Sequence, residues 1–169
     1  MNPEQAKFLC NFLLNTIQQE AETTKKVIRA VPDDKKSYKP DPKSMTAHEL
    51  AWHIAASEIW FLDTVLDGKF TMGETPAAPP TIGAIVEWYD TNHRDRVSKL
   101  KNLPADKLAN IISFGGVMEL PAVGCLNLSA LHACHHRGQL SSYLRPMGAK
   151  VPSIYGGSAD EPMQFEKKV

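Results

Sequence analysis

Four stretches of this chain repeat apolar residues every three or four positions over several turns, and each is set off by proline-rich or glycine-rich connections. That period is the period of an α-helix with one buried face, so the chain has to fold by packing helices on helices. The first helix is expected from about residue 3 to 30, with Asn2 as cap, Pro3 in the first turn, and Leu9, Leu13, Ile17, Thr24, Ile28 and Val31 at helical spacing. Residues 32–43 hold Pro32, Pro40 and Pro42 among polar side chains and read as a surface connection. Thr46 and Glu49 then form a capping box that opens helix two, which carries Leu50, His53, Ile54, Trp60, Phe61, Val65 and Leu66 and stops at Gly68. After prolines at 76, 79 and 80, Thr81 caps helix three, whose stripe is Ile82, Ile85, Val86, Tyr89, His93, Val97 and Leu100.

Pro104 ends the neighbourhood of helix three, and residues 105–127 mix glycine and proline with short apolar runs, an irregular excursion or a brief extended element. Helix four is expected to start at Asn127 or Ser129 and to close at Pro146, Met147 and Gly148. No convincing hairpin signal interrupts the helices, so the fold class is all-α: a four-helix bundle with long crossover linkers and an irregular C-terminal tail, one domain over residues 1–169. The tail from Val151 to Asp160 is too irregular for a fifth helix and too apolar to hang free, so its first half should dock on the bundle.

Nineteen basic residues balance nineteen acidic ones, so no positive field exists to attract a polyanion and nucleic acid is excluded as a partner. No run of apolar residues is long enough for a membrane span, and the first residues lack the basic and apolar regions of a secretory signal, which predicts a cytoplasmic protein. Cys10, Cys125 and Cys134 have no paired spacing and read as free thiols, with the first reading for all three that of small buried hydrophobes.

Function is carried by the run Leu131-His132-Ala133-Cys134-His135-His136-Arg137-Gly138-Gln139. His132 and His136 stand one turn apart on one helix face and can grip a divalent ion from one side, although the glutamate of helical zinc proteases is missing between them. A third ligand must come from elsewhere, and His53 on helix two is the first candidate; His48 is five residues away, roughly 140 degrees round the helix, and faces elsewhere. Three neutral imidazoles suit zinc or nickel, leave coordination positions open, and let the ion activate a water or a thiol. The spacing alone is weak. Histidines making ordinary hydrogen bonds are the plainer reading, and His132 with His135 is a second possible register.

Around the pair, Gln139 shares its face and would orient an imidazole or a water, while Arg137 reads as a structural ion pair or a binder of an anionic substrate group. Gly138 would let a neighbouring helix approach closely. Glu49 is wanted both by the capping box and by the second N–H of His53. His93 reads as a hydrogen-bonded core histidine, or else as a further ligand or proton-transfer group. Trp52, Trp60, Trp88 and Tyr89 are expected in the core, with one or two lining a pocket, and Cys134 projects away from the histidine face.

The segment His135-His136-Arg137-Gly138-Gln139-Leu140, continuing to Tyr143-Leu144-Arg145 and Gly148, resembles the hallmark of the DinB superfamily of helical metalloproteins, the DinB/YfiT-like group. Glu49 to Ala55 with Trp60-Phe61 is similar to that family's other ligand region, and Val151 to Gly156 resembles its closing segment. The resemblance implies a four-helix bundle, a metal held by His53, His132 and His136, a homodimer, and a thiol S-transferase acting on a low-molecular-weight thiol and a small electrophile. A metal-dependent hydrolase and a non-catalytic metal-binding stress-response protein are the alternatives. The family name reflects damage-inducible expression and implies no contact with DNA. Where the family's closing segment has a proline after Tyr-Gly, this chain has Gly157, which predicts a looser hold of the tail on the site.

Overall fold

Three of the four long helices begin where a side chain can cap them. In this computed structural model, which describes residues 1–71 and 75–163, α1 spans Pro3–Arg29, α2 Ala47–Asp67, α3 Ile82–Lys101, α4 Ala105–Ala109 and α5 Gly124–Leu144. Two short strands, β1 (Ile111–Phe114) and β2 (Met118–Pro121), lie between α4 and α5. Asn2 Oδ1 accepts from the Gln5 amide at 2.9 Å while Gln5 Oε1 accepts from the Asn2 amide at 3.2 Å, a reciprocal box with Pro3 in the first turn. The same box recurs at α2, where Thr46 Oγ1 accepts from Glu49 N at 3.0 Å and Glu49 Oε2 from Thr46 N at 2.7 Å. At α3, Thr81 Oγ1 takes the Ala84 amide and Asp33, from the linker after α1, takes that of Ile82. Gly68 ends α2 with φ +67°, a left-handed cap that only glycine adopts without strain.

α5 departs from expectation. It starts at Gly124, one turn before Asn127 and Ser129, with no capping side chain. The chain enters it from β2 through Ala122 and Val123, whose amides bond to the carbonyls of Asn110 and Leu108, so the preceding excursion aims the helix instead of a cap. A Cβ on Gly124 would lie 2.8 Å from Leu120 Cδ1, the movable end of that side chain, so the glycine leaves room for Leu120 against the start of the helix. The hairpin is the second difference: β1 and β2 pair antiparallel from Ile111 opposite Pro121 to Phe114 opposite Met118, and Gly115 and Gly116 turn it with φ of +59° and +78°. Two consecutive positive φ values make the tight turn that matches strand twist, so Gly-Gly was the missed signal.

Apolar packing arranges the long helices in a ring. α1 packs on α3 and α5, and α2 packs on α3 and α5, so α1 and α2 lie across the bundle and the connection between them is a crossover. One core runs through it, including Leu14, Ile17 and Ile28 from α1, Ile54 and Leu62 from α2, Ile85 and Leu100 from α3, and Leu126 and Leu140 from α5. The buried stripe of α1 passes through Ala6, Cys10, Leu14 and Ile17, with Leu9 and Leu13 at its margin. Cys10 and Cys125 are buried, whereas Cys134 is only half-buried.

The tail is held more firmly than Gly157 suggested. Pro152 is buried, Val151 and Ile154 pack on the core, and the carboxylates of Asp160 and Glu161 accept from the amides of Val151 and Ser153. Lys26 and Arg145 pair with the same two carboxylates. A Cβ at residue 157 would stand 2.5 Å from the Met163 amide, so the glycine admits the returning chain that makes these contacts. No helix among the described residues is long and apolar enough to cross a membrane.

Because each box satisfies two helix-terminal amides, Thr46→Ala is expected to lower unfolding free energy by about 1 kcal/mol. Urea titration should show a lower midpoint with an unchanged slope.

Candidate metal centre

Packing of α2 against α5 brings His53 to the paired histidines. His53 Nε2 lies 3.2 Å from His136 Nε2, and the ring centroids stand 5.0 Å apart for His53 and His132, 4.5 Å for His53 and His136, and 4.4 Å for His132 and His136. One nitrogen from each of the three half-buried rings can be chosen so that all lie within 4.8 Å of one another. Of the two registers open in the sequence, the structure brings His132 and His136 together with His53, while His135 is exposed and outside this cluster.

The surroundings assign the ring protons of His136. Its Nδ1 lies 2.7 Å from Gln139 Oε1, an oxygen that can only accept, while the amide nitrogen of Gln139 sits 3.1 Å from His135 Nε2. With Gln139 in this orientation, His136 donates from Nδ1 and leaves Nε2 for the cluster, and Gln139 takes the place of the outer hydrogen-bond partner that metal-ligating histidines commonly have. His53 Nδ1 has the Ser57 hydroxyl at 3.3 Å. His132 Nδ1 is buried without a hydrogen-bond partner among the described residues, and its ring packs against Phe61. A buried imidazole without a partner, in a cluster where one nitrogen from each of three rings lies within 4.8 Å of the others, fits a bound cation.

Burial, reinforced by the charges of His136, His53 and His135, pushes the His132 imidazole down to about 4. Burial and then His136 push His53 down as well. Both shifts favour neutral rings, which is the ligating form. With three nitrogens and, among the described residues, no carboxylate in the cluster, the donor set suits a borderline transition metal better than magnesium or calcium.

The remaining sequence candidates fall elsewhere. Glu49 is exposed and spent on the capping box, which lowers its pKa through the Thr46 amide, so it does not orient His53. Arg137 is a structural ion pair: buried, it binds Glu20 and donates to the Thr24 hydroxyl at 3.1 Å, and its guanidinium stands 5.2 Å from the Tyr155 ring centroid. Gly138 is exposed and a Cβ there would meet nothing, so no helix approaches closely at that point. His93 is a core residue apart from the centre. Its Nε2 is 3.3 Å from Glu58 Oε1, close enough for charge attraction yet misaligned for a hydrogen bond, while the Tyr89 hydroxyl donates to Glu58 Oε2 at 2.8 Å. Cys134 does point away, towards the Tyr155 hydroxyl 3.3 Å from its sulfur. His48, expected to face away, is half-buried with Nε2 2.8 Å from the Pro79 carbonyl.

From His53 a cleft of about 450 Å³ runs between α2 and α3 to Asp63 and Arg96. Trp60 and Trp88 line it, and Trp52 stacks edge-on against Trp88 at 4.6 Å between centroids. Periodicity could place these tryptophans on inward faces, but Asp63 and Arg96 carried no signal because their partnership spans two helices.

The sequence profile of the DinB family matches residues 4–168. The chain belongs to the DinB family. Among relatives, it is 29% identical to the uncharacterized protein YrdA of Bacillus subtilis over 154 residues, 90% of this chain and 91% of YrdA. It is 25% identical to the uncharacterized protein YjoA of the same organism over 142 residues, 82% of this chain and 90% of YjoA. The crystal structure of a DinB-like protein from Bacillus cereus superposes with a TM-score of 0.72 at 27% identity, covering 85% of this chain and 95% of that one. That of YjoA superposes at 0.70 and 24% identity, over 84% and 96%, which speaks for the shared fold.

In the metal-free protein, His132 titrates near 4 when folded and near about 6.5 when unfolded, so between those values the unfolded chain binds more protons. Stability from this group is complete above about 6.5 and is lost as the pH falls towards 4. Thermal midpoints measured with chelator from pH 7.5 to 4 should fall on acidification, and His132→Ala should flatten that slope.

Proposed function

We propose that His53, His132 and His136 hold one divalent transition-metal ion, zinc or nickel, and that this DinB-family protein is a metal-dependent thiol S-transferase. The observation that carries the reading is the convergence of three imidazoles, one of which, His53, lines an aromatic cleft. Once bound, the ion would lower the pKa of a thiol that joins it and so supply the nucleophile at neutral pH. The chain's own part is to orient and exclude water. Gln139 keeps the His136 proton on Nδ1, Ser57 steadies His53, and Phe61 and Trp60 form an apolar wall beside the centre.

We favour thiol transfer over ester or amide hydrolysis because, among the described residues, the cluster contains no carboxylate or other general base besides the imidazoles themselves. A thiol that deprotonates on binding needs none, and its electrophilic partner needs only the adjoining cleft. The three free cysteines suit a reducing, cytoplasmic setting. Phe8 and Phe12, 71% and 63% exposed on α1, supply apolar surface for the homodimer we include in this reading.

Metal analysis of purified and reconstituted protein tests the centre. About one equivalent is expected; less than about a tenth, even after reconstitution, overturns the reading. His132→Ala and His136→Ala should abolish binding with the helical signal intact, Gln139→Ala should weaken it about 10- to 100-fold, and His135→Ala should leave it close to that of the unaltered protein. Turnover of a thiol with an electrophile, and none with an ester panel, is the expected activity; the reverse result would make the protein a hydrolase.

A further inference from the structure

The far end of the cleft holds a guanidinium that is fixed in place and not fully used. Arg96 donates from Nε to Asp63 Oδ1 at 3.0 Å and from Nη2 to Asp63 Oδ2 at 3.4 Å, while Nη1 donates to Asn92 at 2.7 Å and to Asp95 at 3.3 Å. Those four bonds leave one of the five guanidinium N–H groups, on Nη2, without a partner among the described residues. The pair is reachable: the Asp63 side chain is 40% exposed and that of Arg96 24%. An ion pair so exposed adds little stability, so holding α2 to α3 does not account for three separate side chains orienting one arginine.

Between this arginine and His53 the walls are mostly apolar, with Ile59, Trp60, Pro76 and Trp88 beside the polar Ser57 and Thr75. His53 and Asp63 are ten residues apart on α2, a helix rise of about 15 Å. The cleft's volume lies in the range of small-molecule sites, which are apolar with a few placed polar groups. We infer that it binds an amphipathic carboxylate, with the acid group on the remaining Nη2 N–H of Arg96, the apolar body along Trp60 and Trp88, and the opposite end at the three-histidine centre. Only the identity of the group at the histidine end rests on the thiol reading. The Arg96 end stands on its own contacts, and places the substrate class among thiols or electrophiles that carry a carboxylate remote from the reacting atom.

Tryptophan fluorescence reads occupancy of the cleft directly, since Trp60 and Trp88 line it and Trp52 stacks on Trp88. Titration of the full chain with octanoate should give saturable quenching, and octan-1-ol should bind about tenfold more weakly. Arg96→Gln should cost octanoate about tenfold and leave octanol unchanged, with circular dichroism checking the fold. Asp63→Asn removes a negative charge beside the bound acid and should tighten octanoate roughly two- to fivefold, a gain that a purely structural ion pair would not produce. Equal binding of acid and alcohol, or octanoate binding indifferent to both variants, overturns the inference. Cobalt-loaded protein with 8-mercaptooctanoate separates the two readings. A thiolate-to-cobalt absorption band together with Arg96-dependent affinity supports both, whereas Arg96-dependent octanoate binding without the band supports the cleft and removes the thiol reading.

Discussion

The packing of α2 against α5 is the contact on which the rest of this protein depends. A single helix can offer two imidazoles one turn apart, but a third must come from a different element, and no local hydrogen bond can position it. Apolar burial holds the two helices in one shared core, to which α2 gives Ile54 and Leu62 and α5 gives Leu126 and Leu140. Burial is not directional, so the rotation of each helix is set by how its side chains interlock. The cost of that arrangement is visible at the centre, where His132 Nδ1 and, nearby on the same helix, Ser129 Oγ are buried without partners among the described residues. Buried polar groups without partners are uncommon in a well-packed bundle, and each carries a desolvation cost that packing elsewhere must offset.

The rotation of α5 is secured from its other side. Arg137 follows His136 directly and points about 100 degrees away, into α1, where Glu20 and Thr24 receive it and Tyr155 from the tail covers it. Breaking a buried pair of this kind costs about 3–5 kcal/mol, because the remaining charge is stranded. The arginine therefore resists any turn of α5 that would carry the histidines off α2. The tail adds to the same restraint through Asp160 and Glu161, which tie it to Arg145 and Lys26. The segment most conspicuous in the sequence thus has two faces, with the clustered histidines on one and the arginine that orients the helix on the other.

Legibility followed the range of the interaction. The boxes at Asn2 and Thr46 and the left-handed stop at Gly68 were readable because each is complete within a few residues. The start of α5 was not, since no side chain caps it and the direction comes from backbone bonds back to Leu108 and Asn110. Gly115 and Gly116 did mark the hairpin, but their weight was hidden by the irregular composition around them. At the site, spacing pointed to His132 with either His135 or His136, and Gln139 shared their face; the reading of Gly138 as a close-approach position failed because that side of α5 faces solvent.

By itself the sequence determined the four long helices, most of their ends, and a pair of imidazoles one turn apart, because those properties arise from backbone geometry and hydrogen bonds between residues close in the chain. Only the tertiary structure decided that His53 completes the set, that His135 stands outside it, that Arg137 is structural, and that Asp63 and Arg96 meet at the end of a tryptophan-lined cleft. Those outcomes depend on how far each helix is rotated against its neighbours. A turn of one residue, about 100 degrees, exchanges one set of facing side chains for another, and it is the sum of many weak, long-range packing contacts that selects among them.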